Sequence, residues 1–219
     1  MVHNEHERSY FECFERNRSI IYFGRVLFFN PLGGSVSTDF VCAGQLCLDI
    51  FPRFENQPGC TVGELLRPGS VVRVSEMSFS VGGCVANTAG ALARFGIAVK
   101  AVGRVGDDIL GTMLADLLKA RLDTSGLVVA EGQQGSYTLN LSPVGIDRIF
   151  LYSPGPNQLF DSTDVSRELL ENTKLVHLGY PTYMDRLHED NGRELVAIFD
   201  AARQSGATTS MDTSLADPG

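Results

Sequence analysis

From Asp39 onward the chain alternates strand-like and helix-like runs, and that alternation limits the folds open to it. Phe40–Phe51 reads as a buried strand in which Asp49 is the one charge, and Val71–Phe79 alternates as a half-exposed strand does. Asn87–Phe95 reads as a short Ala-rich helix closed by Gly96, followed by a strand over Ile97–Val102. Asp107–Leu122 is the clearest helix. There Ile109, Leu110, Met113, Leu114, Leu117, Leu118 and Leu122 recur at spacings of three and four, and Asp107 or Asp108 can cap its start. Ser136–Leu141 and Arg148–Tyr152 bracket Pro143-Val144-Gly145-Ile146-Asp147, a connection suited to a hairpin. Leu175–Gly179, Gly192–Gln204 and Ala207–Met211 make a further strand, helix and strand. Sequential βαβ units predict an α/β fold: a mostly parallel sheet flanked by helices in three layers. The hairpin and Val71–Phe79 break that rhythm and predict a small antiparallel β lid.

The chemistry concentrates at Val81-Gly82-Gly83-Cys84-Val85-Ala86-Asn87 and at Gly103-Arg104-Val105-Gly106-Asp107-Asp108. Glycines let a backbone approach a ligand closely, and an Asn near a helix start serves either a ligand or the helix end. Asp49 is costly to bury unpaired, so a site role is favoured over that of a satisfied core acid. Cys84 reads as a buried small residue in preference to a reactive thiol, and His177 as a core or strand-end residue. Asn191 and Glu194 read as a capping pair, with Asn at the N-cap and Glu three residues on. A dinucleotide-binding Rossmann fingerprint should follow the first strand, and Gly44-Gln45-Leu46-Cys47 does not supply it.

A net charge of -8 argues against sequence-independent nucleic-acid binding, which needs clustered Lys and Arg. Five cysteines without a CxxC pair favour a reducing, cytoplasmic setting. The apolar run Ile20–Phe29 is too short to span a bilayer and is interrupted by Arg25, so no membrane partner is expected. Residues 1–38 read as an N-terminal extension, in which His3, His6 and Cys13 belong to a polar tail and not to a metal site. The chain stops just after a strand that a parallel sheet would follow with another helix, so a missing C-terminal part is expected.

Five blocks occur in an order that resembles the N-terminal portion of the PfkB, or ribokinase-like, carbohydrate kinases. They are Gly44-x-x-x-x-Asp49; Gly82-Gly83-x-x-x-Asn87-x-Ala89; Gly103-x-Val105-Gly106-x-Asp108-x-x-Gly111; Asp147-Arg148 with Gly155-Pro156-Asn157; and Met211-Asp212-Thr213. The resemblance runs from about Phe40 to the C-terminus. It implies ATP-dependent phosphoryl transfer to a hydroxyl of a sugar or nucleoside, with Mg²⁺, and a homodimer through the β lid. It also implies that Asp49, Gly82, Gly83 and Asn87 bind the substrate. Cys84 stands where ribose kinases commonly carry Lys, and Cys47 where they carry Asn, which leaves the sugar open. The family's catalytic Gly-Ala-Gly-Asp motif is absent, so no catalytic base is assigned, and most of the nucleotide site is expected beyond Gly219. The alternative is a non-catalytic sugar-binding or regulatory remnant.

Overall fold

The computed structural model describes residues 39–55 and 58–214. The apolar run Ile20–Phe29 and His3, His6 and Cys13 lie outside them. The Phe40–Phe51 run, expected as one strand, is divided between two sheets: β1 (Phe40–Gly44) and β2 (Cys47–Phe54) are separated by a sharp turn. Gly44 makes the turn possible. Its φ of 125° lies where side chains are rarely tolerated, and a β-carbon there would overlap the Gly179 carbonyl.

β1 is the middle strand of a wholly parallel five-stranded sheet. Its order is β5 (Asp123–Ala130), β4 (Val99–Gly106), β1, β8 (Leu175–Gly179) and β9 (Thr208–Asp212). Both faces are covered, as a parallel sheet requires. Val41, Ala43, Val176 and Leu178 join one buried cluster with Phe160, Leu187, Ile198 and Ala202, the last two from helix α3 (Arg193–Gln204). Cys42, Ala101 and Val105 join the other, against α1 (Gly83–Arg94) and α2 (Ile109–Lys119). Asp108 caps α2, accepting a hydrogen bond from the Gly111 amide at 2.9 Å. Leu114 and Leu118 are fully buried on its inner face, whereas Ile109 is 82% exposed and leaves the expected stripe. As the first helical residue it lies beyond the edge of the sheet. β5 was not expected, because its Asp123-Thr124-Ser125-Gly126 start resembles a turn. Pairing with β4 makes it a strand.

The second sheet is the lid, in the order β3 (Val74–Gly82), β2, β6 (Tyr137–Leu141), β7 (Ile149–Ser153). It is mixed and not purely antiparallel, since β2 and β6 run parallel. β3 starts and ends three residues later than expected because it feeds directly into α1.

Asn157, fully buried in the segment after β7, ties the lid to the core. Its Oδ1 accepts from the Leu46 amide at 3.2 Å, while its Nδ2 lies 2.8 Å from the Leu46 carbonyl, 2.5 Å from Ser136 Oγ and 3.1 Å from the Tyr152 hydroxyl. One amide therefore joins the β1–β2 turn, the start of β6 and the end of β7. Replacing it with Leu keeps the volume and strands these groups without partners. Asn157→Leu is expected to destabilise the fold by about 3 kcal/mol or more. A urea denaturation midpoint close to that of the parent would contradict this.

Candidate functional site

The chain leaves β1 for β4 and β5 on one side, then returns to β8 and β9 on the other. The order reverses between β1 and β8, and ligands of open α/β sheets bind outside the carboxyl ends of strands at such a point. The two strands end there on register partners, Gly44 and Gly179. Gln45, Tyr180 and the start of α1 surround that place.

α1 begins four residues before its expected start, with Gly82 as N-cap and Gly83, at φ 91°, as its first residue. The Asp49 carboxylate lies against Gly82 where a β-carbon would be. The Gln45 carbonyl and side chain occupy the same space at Gly83. These two glycines are thus required by close approach. Asn87 lies one helical turn past Gly83 and is exposed. Being interior to α1, it does not cap it, which leaves its amide for a ligand.

Asp49 lies within a polar row. Ser80, Asp49, Thr138 and Tyr152 are register partners across β3, β2, β6 and β7 and so share one face of the lid. Ser136, Thr138 and Asn140 line β6 on that face, all buried. The opposite face carries Leu48, Val81 and Tyr137, packed on the core. Burial pushes the Asp49 carboxyl above its ordinary range, partly offset by hydrogen bonds from Cys47, Asn140 and Thr138. The Cys47 thiol, pushed up to about 12 mainly by burial, donates to Asp49 Oδ1 at 3.5 Å and accepts from Thr138 Oγ1 at 3.4 Å. Gln45 Nε2 donates to the Tyr152 hydroxyl at 3.2 Å, while its Oε1 is buried with no partner among the described residues. Sequence reasoning missed Gln45, Thr138, Asn140 and Tyr152. The alternation Ser136-Tyr137-Thr138-Leu139-Asn140-Leu141 marks a two-faced strand for Thr138 and Asn140 without saying which face is buried, and Gln45 and Tyr152 carry no local signal.

Cys84 is buried against Gly179, 3.4 Å from His177 Nε2, and His177 Nδ1 is 3.1 Å from Ser210 Oγ. Burial raises the thiol to about 11 and lowers His177, with Asp212 opposing the latter. Both changes keep the pair neutral, so the core reading of each holds. The Asn191–Glu194 capping pair does not form. Gly192 is the N-cap, Asn191 has a φ of 57°, and Glu194 accepts from the Ser162 amide at 3.2 Å and hydroxyl at 2.6 Å. Three successive left-handed residues turn Asn191 away from the helix axis.

Two hollows lie away from this wall. One of about 150 Å³ is rimmed by Asp161, Arg186, Asp190 and Arg193, and another of about 360 Å³ by Ala93, Ile97, Leu122 and Asp123. Among the described residues no three His, Cys, Asp or Glu side chains are placed to hold a metal ion. None of their helices is long and apolar enough to cross a membrane.

A family model described as pfkB family carbohydrate kinase matches residues 38–218. Probable fructokinase-7 of Arabidopsis thaliana is 26% identical over 181 residues, covering 81% of this chain and 48% of that protein. Fructokinase-2 of Solanum lycopersicum is 25% identical over 189 residues, covering 85% and 53%. The chain thus spans about half the length of the curated relatives it matches. Among solved structures, Arabidopsis thaliana ribokinase complexed with ribose and ATP superposes with a TM-score of 0.63 at 17% identity, over 81% of this chain and 54% of that one. Fructokinase from Xylella fastidiosa gives 0.63 at 22% identity, over 83% and 52%. These two show the ribokinase-like fold.

Because burial raises the Asp49 pKa above its ordinary 3.8, the folded chain holds that proton more tightly than the unfolded chain. The resulting stabilisation is full below 3.8 and is lost as pH rises through the folded value. Asp49→Asn, neutral throughout, is therefore expected to melt above the parent at pH 7, with the gap closing as pH falls through the raised folded value and gone below 3.8. Thermal melts across that range check it, and a variant melting below the parent at pH 7 would contradict it.

Proposed function

The chain belongs to the pfkB family of carbohydrate kinases, and from that premise we propose that its polar wall holds the acceptor sugar for ATP-dependent phosphoryl transfer. The observation that carries this reading is the Asp49 carboxylate set against Gly82 in a row of inward-facing polar side chains. A carboxylate can accept from two neighbouring hydroxyls, and an amide such as Asn87 both donates and accepts. Gly82 and Gly83, lacking side chains, let the backbone lie against the sugar. Fructose is the first sugar to try, because the curated relatives named above are fructokinases.

When bound, ATP with Mg²⁺ supplies the phosphoryl group. The polar wall built by this chain binds and orients the acceptor. The Gly-Ala-Gly-Asp run that provides the family's base does not occur in the 219 residues, and we assign no base. The free thiols at Cys42, Cys47, Cys60 and Cys84 fit a reducing, cytoplasmic setting.

Calorimetry on the folded chain with fructose, ribose, ketodeoxygluconate and adenosine is expected to reveal binding of at least one. Asp49→Ala should weaken it by about 10- to 100-fold, the loss of a charged hydrogen-bond acceptor. An ATP-coupled assay should show no efficient turnover. Absence of binding would overturn the acceptor-site reading, and efficient turnover would show that a base is present.

We also propose a homodimer through the lid. Met77, Phe79 and Leu151 lie on its apolar face and are 58%, 40% and 50% exposed. Sedimentation should detect a dimer that Met77→Asp converts to monomer, and a monomeric parent would rule this out.

A further inference from the structure

Four non-glycine residues among those described have left-handed backbone, and three of them are Asn or Asp, which enter that region readily. The fourth is Tyr180, at φ 56° and ψ 51°. A bulky aromatic residue is strained there, and it precedes Pro181, which pushes the residue before it toward extended backbone. Glycine would take this position without cost. Strain of this kind persists where the surroundings over-determine it, and it gathers at ligand-binding positions.

The surroundings are specific. Tyr180 directly follows β8 at the point where the strand order reverses. Its amide donates to the Asp212 carbonyl at 2.9 Å, and Gly179 before it is crowded by Cys84. The Tyr180 ring lies 6.1 Å from that of Tyr183, which stands edge-on, at 5.4 Å, to Tyr152 of the lid's polar row. The three rings thus bridge the parallel sheet and the lid beside Asp49. Burial, followed by the charges of Cys84 and Asp212, raises the Tyr180 phenol to about 12, so it stays a hydrogen-bond donor at neutral pH. The side chain is half-buried, and its hydroxyl makes no hydrogen bond among the described residues and is not itself buried, so a ligand can reach it.

We propose that Tyr180 is a specificity-determining residue that touches the acceptor sugar, its hydroxyl bonding one substrate hydroxyl and its ring packing on a C–H face. This rests on the acceptor-site reading above. The strained backbone at Tyr180 stands where the strand order reverses, one residue past the Gly179 that packs on Cys84 of α1.

The test titrates the 219-residue chain and its Tyr180→Phe, Tyr180→Gly and Asp49→Ala variants with fructose, ribose, ketodeoxygluconate and adenosine. Melting curves are recorded for each, and the best-binding ligand's monodeoxy derivatives are titrated as well. Tyr180→Phe should bind about 3- to 10-fold more weakly, the loss of one neutral hydrogen bond. One monodeoxy sugar should bind the parent and this variant equally, a coupling that a structural role would not produce. Tyr180→Gly should melt no lower than the parent yet bind more than about tenfold more weakly, losing ring and hydroxyl together. If it fails to melt cooperatively, the Phe variant and the deoxy series decide. Parent-like binding by the Tyr180 variants, with loss only in Asp49→Ala, would overturn the role of Tyr180 and leave the acceptor site standing. A folded parent that binds none of fructose, ribose, ketodeoxygluconate and adenosine would overturn both.

Discussion

The side-chain amide of Asn157 is the interaction on which the arrangement of the two sheets depends. It bonds both backbone groups of Leu46, the residue between β1 and β2, while reaching Ser136 and Tyr152 in the lid. Two amide hydrogens serve three acceptors, so one of them is shared. Without this clamp, the turn at Gly44–Leu46 would leave buried backbone groups unpaired in a protein interior, where such groups are rarely tolerated. The clamp therefore fixes how β2 departs from the parallel sheet, and with it the direction in which Asp49 faces.

That direction produces the site. A lid sheet with one apolar and one polar face can pack Leu48, Val81 and Tyr137 on the core and still present Asp49 and Thr138 to a ligand. The same geometry explains the glycine pair. Gly82 yields its side-chain space to the Asp49 carboxylate and Gly83 to the carbonyl and side chain of Gln45, so β2 and the β1–β2 turn pack directly on the backbone at the start of α1. Gln45 Oε1, buried with no partner among the described residues, lies along this seam.

Several parts of this were legible in the residues. Leu175–Gly179 is a strand over those very positions, and the hairpin around Pro143–Asp147 has the expected strands within a residue. Val176 and Leu178 are apolar enough to mark a doubly buried strand. Other parts depended on partners distant in sequence. β5 opens on four residues that read as a turn, and only the neighbouring β4 makes them extended. Asn191 has the composition of a cap, but its left-handed backbone removes it from the helix and gives Glu194 to Ser162. Thr138 and Asn140 alternate with apolar residues as ordinary surface positions do, so their burial against Asp49 could not be read locally.

By itself, the order of strands, helices and glycine blocks carried the three-layer α/β fold and the resemblance to the family, and that resemblance singled out Asp49, Gly82, Gly83 and Asn87. The fold follows from local periodicity, and the resemblance from five short blocks in a fixed order. Tertiary structure decided which side chains join them. The break at Gly44, the polar row across four strands and the position of Tyr180 arise from contacts between segments well separated in sequence, such as Leu46 with Asn157 and Asp49 with Thr138. Burial and unmet hydrogen bonds exist only once those segments have packed, which is why the chain alone shows where the wall begins and the fold shows what lines it.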